Sequence, residues 1–283
     1  MQNMLESTFF ITGVSSGFGQ ALAQAALNAG HRVIGTVRQP EAARAFESHP
    51  SGRAHARVMD LTDPETVRQV VQEVEASIGP IDVLVNNAGY GHEGILEESP
   101  LEELRRQFDT NVFGAVAVIK ACLPFMRTRR RGRILNITSM GGTITMPGIS
   151  YYCGSKFALE GISDALAKEV SGLGIDVITV APGSFRTEWA GRSMVRTPRS
   201  IDDYDALFDP VRARREAVSG HQLGDPAKAA QVMLQVATMA ERPPTRLLLG
   251  SDAFDLVREN LQGRLRQMKD WESVTRSTDH TGD

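Results

Sequence analysis

Seven short apolar runs alternate along the chain with longer segments in which apolar residues recur at helical spacing. The runs are Thr8 to Thr12, Arg32 to Val37, Arg53 to Met59, Ile81 to Asn86, Gly132 to Thr138, Ile175 to Val180 and Arg246 to Leu249. The helical segments fall near Gly17 to Ala29, Glu41 to Ser48, Asp63 to Ile78, Leu101 to Arg127, Tyr152 to Ser171 and Pro226 to Ala240. This alternation predicts parallel strands joined by crossover helices. Strands covered on both faces need apolar residues at consecutive positions, which the runs supply. The expected fold class is α/β, a doubly wound parallel sheet in three α/β/α layers, with ligand outside the carboxyl ends of the strands.

Two stretches break the alternation. Ser184 to Leu223 is rich in Arg, Pro and Asp with interspersed aromatics, and is too long for an ordinary loop. It reads as a lid over a binding site or as a poorly ordered segment, and its apolar members Phe185, Trp189, Met194, Tyr204 and Phe208 favour the lid. The extension from 251 to 283 predicts one amphipathic helix through Trp271 that frays over Ser277 to Asp283.

Length and composition narrow the class. With 283 residues and 41% hydrophobic composition, the chain can bury one large core, so residues 1–283 are expected to form a single domain. The net charge of -3 and the scattered cations argue against a nucleic-acid surface. The short basic run Arg127 to Arg133 suits the negative end of a helix. Cys122 and Cys153 fit neither a metal-ligand spacing nor a disulfide framework, which points to a reducing compartment. Met1 to Thr8 lacks a leader pattern and no uninterrupted apolar run approaches ~18 residues, so the expectation is a cytoplasmic protein without a membrane span.

The chemistry begins at Thr12-Gly13-Val14-Ser15-Ser16-Gly17-Phe18-Gly19, where the first strand should end and a helix begin. Glycines there permit a tight turn and bring backbone N–H groups against a pyrophosphate. The spacing is not Gly-x-Gly-x-x-Gly; it resembles the Thr-Gly-x-x-x-Gly-x-Gly turn of the short-chain dehydrogenase/reductase family. Further motifs follow in that family's order: Asn86-Asn87-Ala88-Gly89, Asn111, Ser139, Tyr152-Cys153-Gly154-Ser155-Lys156, Pro182-Gly183 and Thr187. The resemblance covers roughly Thr8 to Gly250 and rests on the joint occurrence of ordered motifs. Phe18 departs from the isoleucine usual in the turn. The resemblance implies a Rossmann-type fold, a nicotinamide cofactor, and a homodimer or homotetramer built on the helices Leu101 to Arg127 and Tyr152 to Ser171. Those apolar faces are equally compatible with burial inside one subunit.

The end of the second strand bears on cofactor choice. An acidic residue about 20 positions beyond the glycines usually binds the adenosine ribose and repels a 2'-phosphate. Here that slot holds Val37, followed by Arg38, whose guanidinium can pair a phosphate through two hydrogen bonds. NADP(H) is preferred, with NAD(H) the alternative. Asp60, with Leu61 beside it, resembles the family residue at the adenine, although a loop-starting Asp also suits a turn or helix cap.

Tyr152 and Lys156 are four apart and share one side of a helix, so the ammonium can act on the phenol. Tyr151 has Ser155 four residues on, which carries no charge. By resemblance Tyr152 is the general acid in carbonyl reduction and the base in alcohol oxidation, while Lys156 also holds the nicotinamide ribose. Ser139 would donate to the substrate oxygen, and Asn111 would hold a water behind the lysine. Gly13, Ser15, Ser16, Gly17, Phe18 and Gly19 would line the pyrophosphate; Asn87, Ala88 and Gly89 the adenosine ribose; and Pro182, Gly183, Phe185 and Thr187 the nicotinamide carboxamide. Asn86 reads as a brace between strands. His92 and His221 lack acidic or histidine partners at ligand spacing and read as solvent-exposed loop residues, with no metal required.

The expected function is NADP(H)-dependent interconversion of a carbonyl and an alcohol on a fairly apolar small molecule. Two alternatives are an NAD-dependent alcohol dehydrogenase of the same family and a non-catalytic dinucleotide-sensing regulator. The regulator would have little need for Asn111, Ser139, Tyr152 and Lys156 together.

Overall fold

The structure is a computed structural model that describes residues 6–189 and 191–280. Its centre is a seven-stranded, wholly parallel sheet in the order β3-β2-β1-β4-β6-β7-β9. The strands are β1 (Thr8–Thr12), β2 (Arg32–Val37), β3 (Ala54–Val58), β4 (Val83–Asn86), β6 (Gly132–Ile137), β7 (Ile175–Pro182) and β9 (Arg246–Leu249). A separate parallel pair joins β5 (Gly91–Glu93) to β8 (Met194–Arg196). The helices are α1 (Gly17–Asn28), α2 (Pro40–Glu47), α3 (Pro64–Ser77), α4 (Leu101–Phe108), α5 (Ala115–Arg129), α6 (Ser150–Glu169), α7 (Asp205–Val218), α8 (Pro226–Thr238), α9 (Ser251–Asp270) and α10 (Glu272–Arg276).

Side-chain alternation along the strands builds the two faces. Phe9 and Ile11 of β1, Val83 and Val85 of β4, and Leu135 and Ile137 of β6 join the core under α1 and α8. Phe10, Leu84 and Ile134 point the other way, into the core with Val67, Val71 and Val74 of α3 and Val118, Ile119, Cys122 and Met126 of α5. The chain reverses its winding between β1 and β4, which opens a crevice at the carboxyl ends of those strands. A polar thread crosses this apolar sheet. Asn86 of β4 lies opposite Asn136 of β6 and donates to it at 2.8 Å, and Asn136 donates to Ser163 of α6 at 2.8 Å. Asn86 is therefore the strand brace expected of it.

The predicted helix Leu101 to Arg127 is interrupted: residues Asp109–Gly114 form a π-helical turn between α4 and α5. By length and composition the stretch Leu101–Arg129 could cross a membrane, but here its buried face packs on the sheet. The basic run does fall at the end of α5, where Arg130 takes a left-handed conformation and Arg129, Arg131 and Arg133 pair with Glu75, Asp82 and Asp176.

The segment Ser184 to Leu223 contains β8 and α7, so this candidate lid is ordered over its described residues. Its two ends are tied where Gly224 N donates to Ser184 O at 3.0 Å and Arg186 N donates to Gly224 O at 3.0 Å. Two enclosed carboxylates fasten it to the body. Glu93, 1% exposed, meets Arg196 at 3.2 Å, Arg215 at 3.1 Å and Arg212 at 3.7 Å. Glu98 accepts from Ser200 N at 2.6 Å, Ile201 N at 2.8 Å and Arg199 Nε at 3.0 Å. The predicted tail helix is α9, a short helix α10 follows it, and of the stretch Ser277 to Asp283 expected to fray, residues 281–283 lie outside the described residues.

Candidate active site

The glycine turn joins β1 to α1 at the mouth of the crevice. Gly13 and Gly17 have φ of 73° and 58°, the left-handed region that glycine enters without a Cβ penalty. Gly13 N and Val14 N donate to Thr36 O at 3.1 Å, fixing the turn to the end of β2. Asn87 Nδ2 donates to Thr12 O at 2.9 Å and Gly13 O at 3.0 Å, while Thr12 Oγ1 accepts from Asn87 N and Ala88 N at 3.0 Å. A Cβ on Gly19 would overlap Gly13 O and Asn87 Nδ2. Helix α1 starts at Gly17 with no side-chain cap from Ser16 and no acidic residue in its first turn. Its N-terminal N–H groups are left for an external anion, so the turn fits a pyrophosphate. Ser15 is exposed and Ser16 half-buried beside it, and the Phe18 ring meets Phe185 of the lid edge-on at 5.1 Å.

Val37 is buried and Arg38, next to it, is exposed with no hydrogen bond or ion pair among the described residues. Asp60 closes a local turn by accepting from Thr62 N and Oγ1 at 2.8 Å, and Asp63 is the cap of α3. Leu61 is buried beneath Gly114.

The reacting groups converge at the first turns of α6. Tyr152 and Lys156 are 7% and 6% exposed, and Lys156 Nζ lies 5.8 Å from the Tyr152 ring centroid. Lys156 donates to Ile137 O at 2.8 Å, which aims the ammonium toward the carboxyl end of β6. Burial holds its pKa down to about 8, and Glu160 opposes that shift. Burial pushes the Tyr152 phenol up to about 12, while the polar groups of Ser139 and Trp189 beside it pull the other way. Ser139 begins a 3-10 turn, and its Oγ accepts from Gly141 N at 3.0 Å. Tyr151 turns away: its hydroxyl donates to Ser99 O at 2.9 Å and its ring stacks on His92 at 5.1 Å. The four-residue spacing thus picks the tyrosine that faces the lysine.

Asn111 sits inside the π turn, a form that appears mostly as single turns and often at functional sites. Its Oδ1 accepts from Tyr90 N at 3.1 Å, and its Nδ2 donates to Tyr90 O at 3.0 Å and to Ser155 Oγ at 3.1 Å. It clamps the backbone just past Gly89. A Cβ at Gly89 would stand 2.9 Å from Asn111 Oδ1 and 3.8 Å from Lys156 Nζ, so the bare glycine brings the three segments together.

On the far side of the crevice, β7 ends at Pro182 and Gly183 packs against Asp252, whose Oδ2 accepts from Ser184 N at 2.7 Å. Phe185 is buried against Gly224, and Thr187 lies beside the turn, 3.7 Å from where a Gly17 Cβ would be. Glu160 and Asp252 escaped the sequence reading. Glu160 stands one helical turn past Lys156 and accepts from Thr138 Oγ1 at 2.5 Å, a spacing signal that was available. Asp252 is brought in by the tertiary fold alone. The expectation for His92 is corrected: it is 1% exposed in β5 with Nε2 2.8 Å from Thr197 Oγ1, because pairing with β8 buries that strand. His221 is exposed in the loop after α7, as expected.

Comparison with known proteins agrees with this geometry. The family model for short chain dehydrogenases matches residues 7–195. A 3-ketodihydrosphingosine reductase of Bacteroides thetaiotaomicron is 45% identical over 206 residues, 72% of this chain and 74% of its own. An NADPH-dependent 3-dehydrocapnine reductase of Ornithobacterium rhinotracheale is 32% identical over 246 residues, 84% and 86% of the two chains. A crystal structure of a short-chain dehydrogenase from Streptomyces avermitilis superposes with a TM-score of 0.89 at 39% identity, covering 96% of this chain and 100% of that one. With a family model spanning most of the sheet and the glycine turn, Asn111, Ser139, Tyr152 and Lys156 around one crevice, the chain belongs to the short-chain dehydrogenase/reductase family of oxidoreductases.

Proposed function

We propose that the protein is an NADP(H)-dependent reductase of a fairly apolar ketone or aldehyde, with Tyr152 as the proton donor. The observation that carries this reading is the buried Tyr152–Lys156 pair facing Gly89 at the end of the switch-point crevice. The nicotinamide, when bound, supplies the hydride.

The residues present fit such a cofactor. The uncapped start of α1, with Gly13, Ser15, Ser16, Gly17, Phe18 and Gly19, would hold the pyrophosphate. Arg38, without a partner among the described residues, would take the 2'-phosphate; Asp60 and Leu61 would border the adenine. Asn87, Ala88 and Gly89 would line one ribose, Lys156 would hold the other, and Pro182, Gly183, Phe185 and Thr187 would border the carboxamide. Burial keeps the Tyr152 phenol protonated at neutral pH, the form needed to give a proton to the carbonyl oxygen. The Lys156 ammonium favours the phenolate that this transfer leaves, and Ser139 would donate to the same oxygen as charge develops.

NADP(H) rather than NAD(H) is supported by Val37 and Arg38, and one relative is named for its use of NADPH. A keto substrate is supported by the reductase names of two relatives. The apolar lid and the cluster of Met146, Ile149, Phe157 and Trp189 around Tyr152 support an apolar one. A homodimer or homotetramer is supported by exposed apolar residues on the two long helical stretches, Leu101 and Phe113 on one and Ile162 on the other. Two buried free cysteines suit the reducing cytoplasm.

A ketone and aldehyde screen that follows NADPH absorbance, and includes 3-ketodihydrosphingosine, tests the reading. Tyr152→Phe is expected to lower turnover about 1000-fold, and Arg38→Ala to weaken NADPH about tenfold while leaving NADH unchanged. Full activity of Tyr152→Phe would sink the assignment, and indifference to Arg38→Ala would return the cofactor to NAD(H).

A further inference from the structure

The lid places a polar atom next to Tyr152 that no motif accounts for. Trp189 stands 5.1 Å from the Tyr152 ring, centroid to centroid, with the planes inclined at 57°. Its indole nitrogen is buried and has no hydrogen-bond partner, although an indole N–H can only donate. Gly91 lies beneath it: a Cβ there would come within 3.0 Å of Trp189 Nε1 and 2.9 Å of Met194 Cε. The absence of a side chain at Gly91 thus lets the indole settle toward the phenol. Met146, Phe157, Ile149 and Cys153 complete the apolar packing around the pair, which removes water as a competing partner.

A buried donor without an acceptor is unfavourable unless another state of the site satisfies it. That state exists in the reaction proposed above. While Tyr152 carries its proton, the phenol oxygen is a poor acceptor. Once the proton has moved to the substrate oxygen, the phenolate is a charged acceptor, for which such bonds are shorter and stronger. We infer that the Trp189 indole N–H donates to the Tyr152 phenolate, making this lid residue a third stabiliser of the reacting group beside Lys156 and Ser139. The indole already lowers the phenol's pKa against the rise caused by burial, in the direction this role requires. The titratable groups beside the phenol are the Lys156 ammonium, with Glu160 behind it, and the Cys153 thiol, all on α6; Ser139 faces it from the loop after β6, and Trp189 from the lid. The inference rests on Tyr152 being the proton-exchanging group and gives the lid a part in the chemistry itself.

The test follows Tyr152 by NMR of protein carrying 13Cζ-labelled tyrosine, saturated with NADP+ or NAD+, whichever binds, with the Tyr152→Phe spectrum assigning its signal among the four tyrosines. Trp189→Phe keeps an aromatic ring over the phenol and removes the donor, so the Tyr152 titration midpoint is expected to rise by about 0.5 to 1 pH unit. Gly91→Ala displaces the indole while keeping it, and is expected to shift the midpoint in the same direction; it decides the matter if Trp189→Phe does not fold. An unmoved midpoint in the variant that folds overturns the contact, even if turnover falls through lost packing. The two readings separate: unchanged turnover in Tyr152→Phe defeats the proton donor, whereas a normal loss there with an unmoved midpoint defeats only the role of Trp189.

Discussion

The glycine turn and the lid face each other across one crevice, yet they are held by different physics. The turn is fixed by backbone: Gly13 and Gly17 adopt left-handed conformations, Gly13 N and Val14 N bind Thr36 O, and the Asn87 amide reaches Thr12 O and Gly13 O. The lid adds charge to the β5–β8 pairing and the burial of Phe208: Glu93 gathers Arg196, Arg212 and Arg215, and Glu98 binds Arg199 together with the N–H groups of Ser200 and Ile201. A backbone cradle tolerates no added atom at Gly19 but uses no titrating group. The tethered segment depends besides on two carboxylates. The first suits a cofactor of constant shape; the second suits the substrate cover proposed for the segment.

The sharpest way to break the backbone side is Gly19→Ala, whose Cβ would overlap Gly13 O and the Asn87 amide. An overpacking strain of about 1–3 kcal/mol is expected, and NADPH affinity, measured by titration calorimetry, should fall about ten- to hundredfold. The matching change on the lid side is Glu93→Gln, which leaves three guanidinium groups around a neutral amide. A cost of about 2 kcal/mol is expected to fall on the lid. Hydrogen exchange should therefore quicken across β8 and α7 while β1 and β4 keep their protection. Equal loss of protection in the sheet would show that the lid is not a separate unit.

The smallest effect concerns the reacting pair that lies between the two regions. Burial lowers Lys156 to about 8, so the ammonium is present below that pH and is lost as pH rises through it. Ketone reduction is expected to hold level below about 8 and to halve there, with the limb moving to lower pH in Glu160→Gln because Glu160 favours the charged lysine. A limb that ignores Glu160→Gln would assign the alkaline loss to another group.

The same contrast decided what could be read from the chain. β1, β2 and β9 fall on the predicted residues because local apolar runs bounded by turns define them, and α1 begins at the predicted Gly17. Tyr152 and Lys156 were singled out by the resemblance of the ordered motifs, and their four-residue interval on a helix, itself a spatial statement, put them on one side. The lid's internal structure was not legible. β8 is three residues long, and it exists because β5 pairs with it from about a hundred positions away. That pairing is also what buries His92, whose sequence surroundings look like a loop. The π turn at Asp109–Gly114 carries no apolar periodicity of its own, so the helix around it read as continuous. The Asn111 clamp on Tyr90 likewise joins two segments that no local pattern connects.

The amide pair of Asn86 and Asn136, with Ser163 behind it, has a bearing on how the sheet assembles. Neighbouring strands here are rich in interchangeable aliphatic side chains, and a shifted alignment of β6 on β4 would still bury hydrocarbon against hydrocarbon. It would also strand two carboxamides among those aliphatic neighbours, at a cost that no shifted alignment repays. The polar thread thus works as a registration mark: it rejects misaligned threadings that greasy contacts alone would accept, and it sets the height at which Ser139 and the neighbouring motif loop emerge at the rim.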